Sequence, residues 1–432
     1  MSEWKETTLG SLINVKHGWA FKGEFLSESS FPKNIVVAIG NFNYSGGFRF
    51  ESTKKQEYIG EYPKDYELTS EDILLAMTCQ TAGGEILGIP GKIPNDRNLY
   101  LHNQRLGKIE IKEPELIDRS FIYWLCLWKL FNHHLVSTAS GTKILHTAPD
   151  RIKSFKFRCP PIKSQKKIGK TLDTLDAKIE NLRRQNETLE AIAQTLFKHW
   201  FIDFEFPDAD GKPYKSSGGG MWRSAIGEIP EGWHVEKLGD LTQTITKGTT
   251  PTTFKKDFVE SGINFIKAES ISESHTLIKS KFAYIDEETN IMLKRSIVQE
   301  KDILYTIAGT IGRYAMVTSS SLPANTNQAV AIIRPDFKKI DPEYLLCYFA
   351  SIIYKHYLSS RIVQAVQANL SLGVLNDSPI TIPEQRIKNI FSKVVAPIFS
   401  KKESNQMQIQ TLTKTRDALL PKLMSGQLRV EE

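Results

Sequence analysis

The chain repeats itself. Trp4, Leu9, Gly10 and Leu12 return at the same spacing as Trp233, Leu238, Gly239 and Leu241, and Asp72-Ile73-Leu74 returns as Asp302-Ile303-Leu304. Asn103-Gln104 reappears as Asn327-Gln328. Asp118 and Asp341 each open a helical segment, and Gln165 and Gln385 each follow a proline-containing stretch. Five matches in one order, with a displacement drifting by loop-sized steps, mark a tandem duplication whose interiors have diverged. A duplicated chain of 432 residues is long enough for two domains, each with its own core.

Each half reads as a mixed α/β globule followed by a long helix. Short apolar runs predict strands at 35–39, 73–77 and 106–111, and again at 263–266, 303–307 and 330–333, separated by Gly and Asn clusters. Asp341-Pro342-Glu343 predicts a helix start with an acidic N-cap and Pro at the first helical position. After Pro160-Pro161 the period changes. Ile168, Leu172, Leu175, Ile179, Leu182, Asn186, Leu189, Ala193, Leu196 and Trp200 stand 4-3-4-3 apart, the seam of a helix that packs on another helix. A second seam, Phe391, Val395, Ile398, Lys402, Asn405, Ile409, Leu412, Arg416, Leu419 and Leu423, carries polar interruptions, and Pro397 is expected to kink or break it. Asn186 and Asn405 are either register-setting residues or tolerated polar ones, and the spacing leaves both open. The Gly, Ser, Asp and Pro of 208–220 compose a linker.

The expected fold class is α+β: two mixed α/β domains in tandem repeat, separated and followed by long helices that pair as an antiparallel coiled coil. The boundaries are 1–160, a helix at 161–206, a linker at 207–221, a second domain at 222–381 and a final helix at 382–432.

Composition and motifs narrow the function. Hydrophobic residues at 40% and charged residues at 24% exclude wholesale disorder, and a net charge of +7 is a weak pointer to a polyanion partner. The N-terminus lacks a signal-peptide core, and the most apolar stretch, 121–131, is too short to span a bilayer, so a cytoplasmic protein with no membrane partner is expected. Four scattered cysteines form no C-x-x-C pair, and His133-His134 ends an apolar helix, so no metal site is expected. Phosphate-loop, dinucleotide, zinc-protease and nucleophile-elbow motifs are all missing, so no catalytic residue is assigned.

Binding to double-stranded DNA fits better. It needs cations for phosphates and polar side chains for base edges. Candidates are Lys22, Arg105, Thr142 and Lys143 in the first half, and Lys247, Thr250, Thr310, Arg313, Arg361 and Asn369 in the second. Taken singly, each reads more readily as an ordinary solvated surface residue. A helix from Ile168 to Trp200 is about 50 Å long, enough to hold two reading modules roughly a duplex turn apart.

The order of these parts resembles the specificity (S) subunit of type I restriction-modification enzymes. The residues that carry the likeness are Pro160-Pro161 with Gln165, Ile229-Pro230-Glu231-Gly232-Trp233 with Leu238-Gly239, and Pro383-Glu384-Gln385. The strings Phe197-Lys198-His199-Trp200-Phe201-Ile202-Asp203-Phe204 and Arg416-Asp417-Ala418-Leu419-Leu420-Pro421-Lys422-Leu423-Met424-Ser425-Gly426 look like that family's two helix ends. The resemblance implies two target recognition domains, each reading one half of a bipartite, asymmetric site. It implies helices that pair as an antiparallel spacer and also dock two methyltransferase (M) subunits, with Ile168, Leu172, Leu175, Ile179, Leu182, Asn186, Leu189, Leu196, Trp200, Ile398, Asn405, Ile409, Leu412 and Leu419 as the helix-pairing and docking residues. The chain itself would hold no cofactor. S-adenosylmethionine would belong to the M subunits, which methylate adenine, and ATP and Mg to restriction (R) subunits. The rivals are a self-contained two-module DNA-binding adaptor or regulator and, more distantly, a nuclease.

Overall fold

A computed structural model describes residues 4–28, 33–50, 55–362 and 369–430, and in it the chain divides into two compact units: 1–182 with 407–432, and 183–406.

The first unit is built on a four-stranded antiparallel sheet in the order Ile13–His17, Leu106–Ile111, Ile73–Ala76, Pro90–Lys92. Every residue of Ile73–Ala76 is buried, as a strand covered on both faces requires. A second sheet runs Leu26–Glu28, Gln56–Tyr58, Asn34–Val37, Leu99–His102, Glu67–Leu68, with a parallel pair formed by 34–37 and 99–102. Lys5–Thr8 pairs with Lys156–Cys159 to close the domain. The helix Arg119–Leu127 delivers Phe121 and Trp124 to the core, and Phe131 follows from Lys129–Ser137. Asp118 caps the first of these helices, its Oδ1 accepting the Phe121 N–H at 3.0 Å.

The second unit repeats this plan. Its main sheet runs Thr242–Lys247, Val330–Pro335, Ile303–Thr306, Tyr314–Met316, each strand the counterpart of the one in the same place in the first unit. Ile263–Ile266 and Ala324–Thr326 form the parallel pair, and Ala283–Ile285 joins it antiparallel to Ile263–Ile266. His234–Lys237 pairs with Pro379–Ile382 as the closing ladder. All six strand-like runs expected from the sequence are strands.

The recurring residues now have reasons. A Cβ on Gly10 would collide with the Cβ and backbone of Lys153, and one on Gly239 would displace the Asn376 side chain at the matching place. Asp72 Oδ2 accepts the Thr69 N–H at 2.9 Å and pairs with Lys108 Nζ at 2.8 Å. Asp302 Oδ2 accepts the Gln299 N–H at 2.7 Å, and its carboxylate takes a fork from Arg334, Nε–Oδ1 2.8 Å and Nη2–Oδ2 2.7 Å. The recurring aspartate thus holds the turn before the central strand, and a cation from the next strand makes its burial tolerable.

Two long helices, Ile162–Phe201 and Gln385–Met424, complete the chain. In the first unit Ile168 and Leu172 join the domain core together with Leu423 and half-buried Leu419, while Ile179, Leu182, Ile409 and Leu412 form a cluster of their own. In the second unit Ala193, Phe197, Trp200 and Phe201 pack with Phe391, Val395 and Phe399, flanked by Leu196 and Ile398. Leu175 and Leu189 are half-buried. Within each unit ascending positions on one helix meet descending positions on the other, so the helices pair antiparallel.

Four expectations are corrected. The second helix is not broken at Pro397. Pro397 and Lys393, whose carbonyl loses its partner, both lie on the exposed side, while Val395 and Phe399 anchor the buried side. Lys402 and Arg416 do not interrupt the second seam: Lys402 pairs with Glu190, and Arg416 with Asp176 and Asp417. Gln385 is not the counterpart of Gln165. Gln165 is buried and donates from Nε2 to the carbonyls of Leu116 and Pro160, whereas Gln385 is exposed. It is Lys388 that reaches the matching Lys339 carbonyl, at 3.2 Å. Asp341 makes no capping bond and instead accepts from Ser392 Oγ.

Residues 207–221, a linker by composition, are folded onto the second unit. Phe206 stacks between Tyr214 and Trp233, at 4.5 and 4.7 Å between centroids, and Tyr214 Oη donates to the Gly220 carbonyl at 2.9 Å. Aromatic stacking on Phe206 outweighs the loop-forming composition of the segment.

Candidate nucleic-acid interface

One edge of each domain is assembled from four chain segments by the same backbone bonds. In the first unit the Trp19 N–H donates to the His102 carbonyl at 2.9 Å, Met77 N–H to Arg105 C=O at 3.0 Å, and Thr147 N–H to Met77 C=O at 2.9 Å. In the second, Thr249 N–H donates to Thr326 C=O at 3.2 Å, Ile307 N–H to Ala329 C=O at 2.8 Å, and Leu370 N–H to Ile307 C=O at 2.8 Å. The bridge Ala308–Asn369 stands where Thr78 pairs with His146.

Gly18 and Gly248 make this edge possible. Each carries the chain across the carbonyls at the end of a parallel strand, His102–Asn103 in one unit and Thr326–Asn327 in the other. A Cβ at either glycine would fall inside contact distance of those backbone atoms. Behind the first edge His102 is buried, and its Nε2 lies 2.9 Å from the Leu106 carbonyl, which requires the proton on Nε2. Burial pushes its pKa down to about 4, so the ring is a neutral strut.

The edges gather most of the candidate DNA contacts. In the first unit Arg105 is exposed beside Trp19 and Asn103, Lys22 is exposed three residues beyond Trp19, and Thr142 and Lys143 are exposed on the turn bracketed by the Ser140–His146 bridge. In the second, Lys247 is exposed at its strand end next to Gly248, Thr250 Oγ1 donates to Gln328 Oε1, and Asn369 is exposed on its bridge. Thr310 is exposed on the Gly309–Gly312 turn, whose glycines both have positive φ. Arg313 is turned onto its own domain, with Nη2 2.7 Å from Glu273 Oε1 and Nη1 3.3 Å from the Ile271 carbonyl. Arg361 is exposed on the helix Ile352–Ile362, its guanidinium 5.4 Å from the Tyr357 ring. The individual search for cations missed Gly18, Gly248, Gln104, Gln328 and His146. The repeat held a signal for the first four, since each has an identical counterpart in the other half.

The model of the type I restriction modification DNA specificity domain matches residues 1–191 and 230–413. The chain belongs to this family. The two matched segments contain the two repeated edges. Among similar proteins, the MjaIX specificity subunit of Methanocaldococcus jannaschii is 30% identical over 346 residues, covering 79% of this chain and 76% of that one. The HindI specificity subunit of Haemophilus influenzae is 25% identical over 99% of this chain and 100% of its own length. The EcoBI specificity subunit of Escherichia coli is 24% identical over 99% of this chain and 87% of its own. The fold is that of the type I S subunit from M. genitalium, with a TM-score of 0.56 at 14% identity, covering 98% of this chain and 96% of that one. As a specificity subunit homologue, the chain is not itself an enzyme. Among the described residues no group of three His, Cys, Asp or Glu could hold a metal ion, and no helix is long and apolar enough to cross a membrane.

For a specificity subunit, the helix seams are informative in another way. Ile168, Leu172, Ile179, Leu182, Trp200 and Ile409 are buried against the chain itself, as is Asn405. Their apolar faces are therefore engaged within the subunit. The exposed apolar residues of the helices are Ile192, Val394 and Met407, which the heptad reading did not single out.

Proposed function

We propose that this chain reads DNA sequence for a type I restriction-modification complex, each domain reading one half of a bipartite, asymmetric site. The observation that carries this is the repeated edge: one backbone frame built twice, dressed with different side chains. Identical frames support the same mode of approach to a duplex, and divergent side chains support different half-sites. The helix pair would dock two M subunits, with Ile192, Val394 and Met407 as its available apolar contacts. Those subunits would supply S-adenosylmethionine and methylate adenine, and R subunits would supply ATP-driven, Mg-dependent cleavage.

Sequencing that detects methylated adenine, in cells with and without this chain beside its methyltransferase partner, tests the reading. A bipartite motif that disappears with the chain is expected, and methylation independent of the chain would refute it. Exchanging residues 1–160 for those of a related subunit should change one half-site and leave the other intact.

A further inference from the structure

The two edges share a backbone frame and differ in side chains, so the places where they discriminate can be found by elimination. Four equivalent positions in the frame carry different residues: Trp19 and Thr249, Thr78 and Ala308, Arg105 and Ala329, His146 and Asn369. A base edge is read by a side chain that is exposed, polar and held in place. Trp19 is packed on its own domain, its ring centroid 5.0 Å from that of Phe21 and 6.1 Å from that of Tyr58. Thr78 is buried, and Ala308 and Ala329 have no polar side-chain atom. Of the four positions, only that of His146 and Asn369 is exposed in both copies and able to hydrogen-bond in both.

The backbone fixes this position in both units. The His146 N–H donates to the Ser140 carbonyl at 2.8 Å, its carbonyl accepts the Ser140 N–H at 3.0 Å, and the Thr147 N–H reaches Met77. Asn369 bridges Ala308, and the Leu370 N–H reaches Ile307. Each residue stands three places before a short helix, Pro149–Lys153 in one unit and Leu372–Asn376 in the other. The side chains then differ in what they offer. His146 Nδ1 lies 3.1 Å from Thr78 Oγ1, which leaves Nε2 as its one nitrogen without a partner among the described residues. The Asn369 amide has no partner among the described residues, so its donor and acceptor are both available. Together they match an adenine that stays in the stack, whose N7 accepts and whose N6 donates. A single ring nitrogen makes one bond.

We propose that His146 and Asn369 are the base-discriminating side chains of the repeated edge. Each reads one stacked base pair in its own half-site, and adenine is the base that fits Asn369. This rests on the bipartite reading above and concerns base pairs other than the two whose adenines are methylated. The full chain with its methyltransferase partner is given duplexes of the mapped site. Each base pair outside the methylated ones is varied in turn, and sequencing scores adenine methylation. The wild-type complex sets the discrimination at each position. His146→Ala is expected to cut discrimination about tenfold at one base pair of one half-site, the scale of a direct base contact, and to leave the other positions unchanged. Asn369→Ala should do the same at one base pair of the other half-site, and that pair should be A·T in the wild-type motif. Discrimination unchanged at every position in either variant would overturn the assignment. So would methylation that falls evenly across all sequences, the mark of a phosphate contact. A relaxed pair other than A·T in the Asn369→Ala variant would overturn the adenine match. If His146→Ala fails to copurify with its partner, His146→Asn takes its place, since the second edge carries asparagine there. It should alter the preference at one base pair of the same half-site, and an unaltered preference would refute the role. Wild-type methylation without a bipartite motif would mean that the underlying reading has failed. A bipartite motif untouched by both variants would mean that this assignment alone has failed.

Discussion

Asn405 Nδ2 donates to Asn186 Oδ1 at 2.9 Å across the paired helices, each asparagine on its own heptad seam. Asn186 Nδ2 also lies 3.5 Å from the Lys402 carbonyl, and Asn405 is completely buried. The choice left open by the spacing is settled in favour of a matched polar pair. The corresponding position in the other half of the duplication is occupied by Leu182 and Ile409, which pack as apolar residues. A pair with one polar and one apolar equivalent specifies a single alignment, since a slip would set an amide against leucine.

Removing one asparagine should therefore cost more than removing both. Asn405→Leu leaves the Asn186 amide facing an apolar partner and is expected to destabilise the fold by about 1–3 kcal/mol. The double change to leucine should recover most of that loss. Chemical denaturation of the three proteins checks the order, and equal losses for single and double variants would argue against a coupled pair.

The recurring aspartate offers a comparison inside one molecule. Asp302 is 1% exposed and bound by a bidentate arginine, whereas Asp72 is more open and meets a single lysine. Asp302→Ala removes both bonds of the Arg334 fork, leaves a half-buried guanidinium without its carboxylate and should cost about 1.5–3 kcal/mol. Asp72→Ala should cost clearly less, because Lys108 can turn to solvent. Thermal melts of both variants test the ranking.

The glycine crossings should tolerate no side chain. Gly248→Ala places a methyl group against backbone carbonyls that cannot rotate away, so strand and loop must separate. A loss of about 1–3 kcal/mol is expected, the usual cost of overpacking. Faster hydrogen exchange at Thr249, whose N–H is bonded across the crossing, would report the separation, and protection equal to wild type would contradict it.

Acid should weaken both units before carboxylates titrate. Burial lowers the pKa of His102 to about 4, and burial does the same to His275, beside Glu190, Lys402 and Lys355. With an ordinary value of 6.5 in the unfolded chain, the unfolded state takes up protons first as pH falls. Stability is then whole above about pH 6.5 and lost progressively down to about pH 4. Glu190 adds to this at lower pH: burial raises its pKa, but Lys402 outweighs burial and holds it below the ordinary value. Melting midpoints between pH 7 and pH 5 should fall, and fall less in His275→Asn. Flat midpoints in the wild type would count against the buried neutral imidazoles.

Substituting Asp at Ile192 and Val394 should leave the unfolding free energy within about 1 kcal/mol of wild type, since both side chains are exposed. Copurification with the methyltransferase partner should fall sharply. Undiminished copurification would place docking elsewhere.

The sequence by itself determined the duplication, the strands, the two long helices and the family, because each leaves a periodic or repeated trace along the chain. Ile73–Ala76 and Val330–Pro335 announce buried strands by composition alone, and the 4-3 spacing of Ile179, Leu182, Ile409 and Leu412 announces a seam. Tertiary structure decided what those traces could not carry. Lys402 and Arg416 look like flaws in the second seam until Glu190 and Asp176 are found beside them. The linker-like 207–221 folds because Tyr214 and Trp233 stack on Phe206, and Pro397 stays helical because its missing bond faces solvent. Of the candidate contacts, Arg105, Lys247 and Asn369 reach a common type of edge, while Arg313 is held by Glu273. Gly18 and Gly248 were visible only as repeated letters. Which residues are partners depends on contacts between segments far apart in the chain. A linear pattern records how often apolar residues recur, and holds no record of which distant carbonyl or carboxylate each polar group will meet.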